Sequence, residues 1–204
     1  MSDLPPGLDV SLETLDKLRT YADLVRKWTR KINLVSSRSL ETLWDRHIVD
    51  SAQVYSVVAP ERGSWVDLGS GGGFPGVVVA ILAQECAPEV MVSCVESDQR
   101  KAAFLRTVSR ETSTPMQVHD ARIEALEPQN ADYLSARALA PLADLLGFAD
   151  RHLASGGVAV FPKGARHQQE LTEARKLWQF KVEEITSCTD GEAVVFKIGA
   201  LSRV

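Results

Sequence analysis

One stretch, Val66-Asp67-Leu68-Gly69-Ser70-Gly71-Gly72-Gly73-Phe74-Pro75-Gly76, limits what this chain can become more than any other. A short apolar run (Trp65, Val66, Leu68) carries an acid near its end and breaks into glycines. It resumes after Pro75 as the apolar run Val77–Ala83. That order reads as a strand, a tight turn and the start of a helix. Glycines at such a turn permit positive φ and let a ligand approach without meeting a Cβ. The free N–H groups of the first helical turn favour anionic or polar ligand groups.

With that first strand at 64–68, strands are expected at Val90–Val95, Met116–His119, Ala131–Ala136, Val158–Phe161, Phe180–Thr186 and Ala193–Ile198. Helical patterns fall between most of them. Asp98 can cap one, Pro141 suits the N1 position of another running to about Leu153, and a charged helix covers about Arg166–Trp178. Strands alternating with helices imply a parallel sheet covered on both faces. Thr189-Asp190-Gly191 joins the last two strands as a hairpin, so the final strand should run antiparallel. The fold class expected is α/β, a Rossmann-like, mostly parallel seven-stranded sheet with an antiparallel last strand. Residues 1–204 are read as one domain, with 1–60 an N-terminal helical extension on a core of 61–204.

In that extension Ser11 can cap a helix whose inner face is Leu12, Leu15, Leu18, Ala22, Val25, Trp28 and Ile32. From Lys17 to Lys31 six Lys/Arg oppose Asp23 alone, and this local excess points to an anionic partner. Ser39 can cap a second helix with Leu40, Leu43, Trp44, His47, Ile48 and Ala52 inward, and Arg46-His47 about one turn from Asp50-Ser51.

A net charge of −4 argues against a protein that coats nucleic acid indiscriminately, but leaves room for a basic face. Three scattered cysteines (Cys86, Cys94, Cys188) indicate neither a disulfide framework nor a zinc site, and no metal is expected. The N-terminus lacks the pattern of a signal peptide and the longest apolar run is too short for a membrane span. The expectation is a cytoplasmic protein with no membrane contact, and a monomer.

Ligands of open α/β sheets sit beyond the carboxyl ends of the strands. Asp67, the glycines, Glu96, Asp120–Glu124, Arg137 and Lys163 all follow strands and should converge there. Gly71-x-Gly73-x-x-Gly76 formally matches a dinucleotide fingerprint, which alone is weak evidence. Asp67 would face a pyrophosphate unfavourably, yet it suits a ligand with an ammonium group. Glu96, 23 residues after Gly73, can accept both hydroxyls of an adenosine ribose. Acids at both places and a terminal hairpin fit S-adenosyl-L-methionine, which has a sulfonium, an ammonium and an adenosine but no phosphates. A nicotinamide dehydrogenase is the reading these acids disfavour.

Asp67 to Gly76, preceded by Asn33-Leu34 and Arg46-His47-Ile48-Val49-Asp50-Ser51, resembles the ribosomal RNA small subunit methyltransferase G family, formerly glucose-inhibited division protein B. Ile123-Glu124, Ser135-Ala136-Arg137-Ala138 and Phe161-Pro162-Lys163-Gly164 follow in the order that family shows. Ala136 between Ser135 and Arg137, and Pro162 before Lys163, are departures from its commoner pattern. The resemblance implies a class I methyltransferase fold and methylation of guanine N7 at nucleotide 527 of 16S rRNA in the 30S subunit. It also implies cofactor contacts at Gly69, Phe74, Ile123, Glu124 and Arg137, beside Asp67, Gly71, Gly73 and Glu96. Arg137 has two functional readings: holding the cofactor's carboxylate, or contacting guanine O6 or a phosphate. Lys163 and His47 are further candidates for positioning substrate. Guanine N7 bears a lone pair and no proton, so no general base is nominated. The alternatives are a methyltransferase of another RNA or a small molecule, and a non-catalytic nucleotide-sensing or division-related binding protein.

Overall fold

A computed structural model describes residues 4–204; the first three positions of the extension expected over 1–60 lie outside the described residues. Seven strands form one sheet: β1 (Arg62–Leu68), β2 (Glu89–Glu96), β3 (Gln117–Asp120), β4 (Ala131–Ser135), β5 (Leu153–Lys163), β6 (Trp178–Thr186) and β7 (Val194–Arg203). Their order is β3-β2-β1-β4-β5-β7-β6. The five strands β3, β2, β1, β4 and β5 run parallel to one another. β7 inserts between β5 and β6 and is antiparallel to both, as the hairpin requires.

Alternation along the strands divides the core into two. Trp65, Cys94, Val160 and Val195 face one side, where α1 (Leu12–Thr29), α3 (Asp50–Val58), α4 (Gly76–Cys86) and α5 (Gln99–Glu111) pack. Val66, Leu134, Ala159 and Phe196 face the other, under α6 (Leu142–His152) and α7 (His167–Ala174). Seven consecutive residues of α4, Val77–Ala83, are buried. A helix apolar all round must be covered all round, and α1 and α3 supply the cover that the sheet cannot.

The helical start departs from the expectation in several places. Ser11 caps α1, accepting from Thr14 N at 3.2 Å, and the N–H and hydroxyl of Ser11 both donate to Glu85 at the end of α4. Leu12, counted on the inner face, is 76% exposed because it precedes the helix's first contact with the core. The second helix is not continuous. Ser36 rather than Ser39 caps a single turn, α2 (Ser37–Leu40), and a π-helical turn, Trp44–Val49, feeds α3. Pro141 is the N-cap of α6 and not its first helical residue, and the last helix ends at Ala174.

Candidate active site

The glycine turn joins β1 to α4 with Gly69, Gly71 and Gly73 all at positive φ. A Cβ added to Gly71 would meet nothing nearer than the Gly69 carbonyl at 3.8 Å, so this backbone is open to a ligand. At Gly69 the same atom would fall 2.6 Å from Leu139, and at Gly73 2.9 Å from the Tyr21 hydroxyl. Tyr21, fully buried on α1, donates to the Gly72 carbonyl at 2.6 Å and packs against Phe74. A residue of the extension thus holds the loop's shape.

Asp67 is fully buried beneath the turn. Its Oδ1 accepts from Ser135 Oγ at 2.7 Å, and that hydroxyl accepts from Trp65 Nε1 at 2.9 Å. Its Oδ2 rests against the Gly76 backbone and lacks a hydrogen bond of good geometry. Burial raises the Asp67 pKa to about 6, against the hydrogen bonds that favour its charge. Glu96 is likewise turned toward the loop: Oε2 accepts from Gly71 N at 2.8 Å and Oε1 from Asp98 N at 2.7 Å. Each oxygen keeps a second lone pair for a ligand hydroxyl. Ile123, buried, and Glu124, exposed, form a 3-10 turn just past β3, at the same edge of the sheet.

Arg137 follows β4 and meets the extension. Its Nη1 donates to the Arg46 carbonyl and to Asp50 Oδ2, both at 3.2 Å, and its Nη2 donates to His47 Nδ1. The guanidinium carbon lies 5.1 Å from the centre of the Phe74 ring, on which His47 stacks at 4.8 Å. Burial, and then Arg137 and Arg46, lower the His47 pKa to about 3, so the imidazole is neutral and its Nδ1 free to accept. A cavity of about 400 Å³ opens here, lined by Arg46, His47, Asp50, Arg137, Lys163 and Asp190 among others. A larger one, about 620 Å³, lies around Ser64 and Met91 at the opposite ends of the strands, and its lining is uncharged.

Lys163, a candidate for positioning substrate, lines the smaller cavity; its side chain is 8% exposed and Nζ donates to Glu170 at 2.7 Å and to the Ala140 carbonyl at 3.0 Å. Glu170 also accepts from Leu142 N, so Lys163 fixes the start of α6 beside the cavity. The basic face of α1 is also partly neutralised, Lys17 pairing with Glu13, Arg19 with Asp16 and Arg26 with Asp23. Lys27, Arg30, Lys31 and Arg38 are exposed with no ion pair among the described residues.

Three contributors were not foreseen as site residues: Tyr21, and Ser135 and Asp50, which stood in the sequence only as members of the family motifs. Tyr21 is adjacent to Ala22 on the apolar stripe of α1, the one signal that a polar tip was being buried.

The arrangement is a backbone cradle with acids at its base and a fixed cation at its side, suited to binding and orienting rather than to proton transfer. Its sheet matches a methyltransferase from Geobacter sulfurreducens with a TM-score of 0.61 at 14% identity, covering 96% of this chain and 91% of that one, a likeness of fold. Two relatives named ribosomal RNA small subunit methyltransferase G, from Ruegeria pomeroyi and another Ruegeria strain, are 57% and 53% identical over 197 residues. Each match covers 97% of this chain and 96% of the relative. The family model for rRNA small subunit methyltransferase G matches residues 14–195, from the first turns of α1 to the start of β7. With the whole cradle inside that span, the chain belongs to the rRNA small subunit methyltransferase G family.

Proposed function

We propose that this chain transfers a methyl group from S-adenosylmethionine to N7 of a guanine in 16S rRNA, at nucleotide 527 as the family resemblance implies. The observation that carries the reading is the family match over residues 14–195. The cradle fits the cofactor: Gly71 is open, the Asp67 carboxylate has an oxygen without a partner, and Glu96 retains acceptor capacity. When bound, the cofactor supplies an electrophilic methyl on a cationic sulfonium. Gly69, Gly71, Gly73 and Phe74 shape its bed, Glu96 takes the ribose, and Ile123 and Glu124 flank the adenine side. Asp67 acts from beneath the turn, as a buried negative charge that favours a cation above it.

Guanine N7 needs no proton removed, so catalysis reduces to holding N7 in line with the methyl. Arg137 has two uncommitted donors for this. A donor on N7 would occupy the lone pair that must attack, so Arg137 serves guanine O6 or the cofactor's carboxylate. Lys27, Arg30, Lys31 and Arg38 meet phosphates of the same RNA.

Purified protein, methyl-labelled cofactor and three acceptors (naked 16S rRNA, 30S subunits, a small-molecule panel) test the assignment. Label recovered as 7-methylguanine from 16S rRNA is expected. Label confined to small molecules, or cofactor bound with no turnover on either RNA acceptor, overturns it.

A further inference from the structure

Asp50 uses its two carboxylate oxygens on different parts of the molecule. Oδ2 accepts from Arg137 Nη1 at 3.2 Å. Oδ1 accepts from Thr189 Oγ1 at 3.3 Å and Ser187 Oγ at 3.5 Å, in the turn between β6 and β7. One helical turn along α3, Gln53 seizes the same turn, donating to the Thr186 carbonyl at 2.8 Å and accepting from Cys188 N at 3.0 Å. The Asp50 and Arg137 side chains are 15% and 16% exposed, so this pair is largely shielded from solvent screening.

A guanidinium carries five N–H donors in a rigid fork. Nη1 spends both of its donors on Asp50 and the Arg46 carbonyl, and Nη2 spends one on His47. Nε–H and one Nη2–H have no acceptor among the described residues. Of the three acceptors, Asp50 alone is a carboxylate, and charge-assisted bonds are about twice as strong as neutral ones. It is therefore the anchor that sets the angle of the fork.

We propose that Asp50 is the positioning residue for Arg137, aiming its two uncommitted donors at an acceptor oxygen of the reactants and making the β6–β7 turn part of the same assembly. This rests on the methyl-transfer reading above.

The test is a double-mutant cycle on the full chain, with methyl transfer to 30S subunits as one readout. Asp50→Asn is expected to lower kcat roughly 10- to 100-fold, as loss of an orienting partner does elsewhere, and Arg137→Lys comparably. Together they should cost no more than Arg137→Lys alone, because one acts through the other. Asp50→Glu should recover part of the rate, and Ser187→Ala with Thr189→Val should cost much less than Asp50→Asn. The second readout is the side-chain ¹⁵N–¹H spectrum of Arg137. Its hindered guanidinium rotation should vanish in Asp50→Asn and persist in the Ser187→Ala, Thr189→Val protein. Multiplicative losses in the cycle, or a restrained Arg137 signal in Asp50→Asn, overturn the proposal. If Asp50→Asn does not fold, failure of Asp50→Glu to alter either readout does the same. A wild-type protein that transfers no methyl overturns the functional reading instead, and the spectrum still decides the positioning.

Discussion

At Gly71 a single methyl separates two requirements that usually coincide. Its φ of +55° disfavours any side chain, at about 1–2 kcal/mol, yet the space around it would accept a Cβ without collision. Gly76 is the opposite case, since a Cβ there would lie 2.7 Å from the Asp67 carboxylate. Gly71→Ala should therefore fold, with a Tm lower by roughly 2–8 °C. Because the added methyl stands on the open side of the cradle, affinity for S-adenosylmethionine should fall at least about tenfold by calorimetry, a loss larger than strain alone would bring. Unchanged affinity in the folded variant would move the cofactor off this turn.

The helical elements that precede the sheet carry two different faces, one that holds the glycine turn and one that is basic and exposed. Tyr21 on α1 reaches the Gly72 carbonyl without facing the ligand side. Tyr21→Phe keeps the ring against Phe74 and deletes one buried hydrogen bond, worth about 1 kcal/mol. It should weaken cofactor binding by loosening the loop, while the basic face and RNA affinity stay as they are; equal cofactor affinity would show that the loop holds itself. The converse applies on the outer face. Replacing Lys27, Arg30 and Lys31 by Glu should weaken 16S rRNA binding and flatten its log–log salt dependence by about 0.7–0.9 for each phosphate no longer neutralised. Cofactor affinity should not change. Arg26→Glu should do less, because Asp23 already holds Arg26. A salt slope identical to wild type in the triple variant would remove α1 from the RNA interface.

For the molecule as a whole, two buried titrations act on stability with opposite signs. Asp67 has its folded pKa raised to about 6, so its contribution is fully present below the unfolded value of 3.8 and lost as pH rises through 6. His47 has its folded pKa lowered to about 3, so its contribution is present above 6.5 and lost as pH falls through 3. Between pH 4 and 6 the two offset each other. Asp67→Asn removes the first alone. Urea melts should find the variant gaining on wild type from pH 4 to pH 7.5, by up to about 3 kcal/mol for a shift of some two pKa units. The same protein should bind S-adenosylmethionine less tightly, having lost the charge beneath the turn. A stability difference that ignores pH would mean that burial does not disfavour the charged form of Asp67.

The strand–glycine–helix signal, the periodicity of the later segments and the hairpin at Asp190 were enough for the sheet and its one reversed strand, because these are short-range patterns that each element carries alone. The edge at which Asp67, Glu96, Ile123, Arg137 and Lys163 gather followed from the rule that parallel strands share a carboxyl end. What those side chains do at the edge was not legible, since it depends on partners far along the chain. Ser135 lies 68 residues from the Asp67 it holds, Asp50 87 from Arg137, and Tyr21 51 from Gly72. The π-helical turn at Trp44–Val49 has no local signature either, and a reading at 3.6 residues per turn passes straight through it. Local sequence therefore chose the cradle, while tertiary packing, by setting which buried donor meets which carboxylate, chose the groups that aim it.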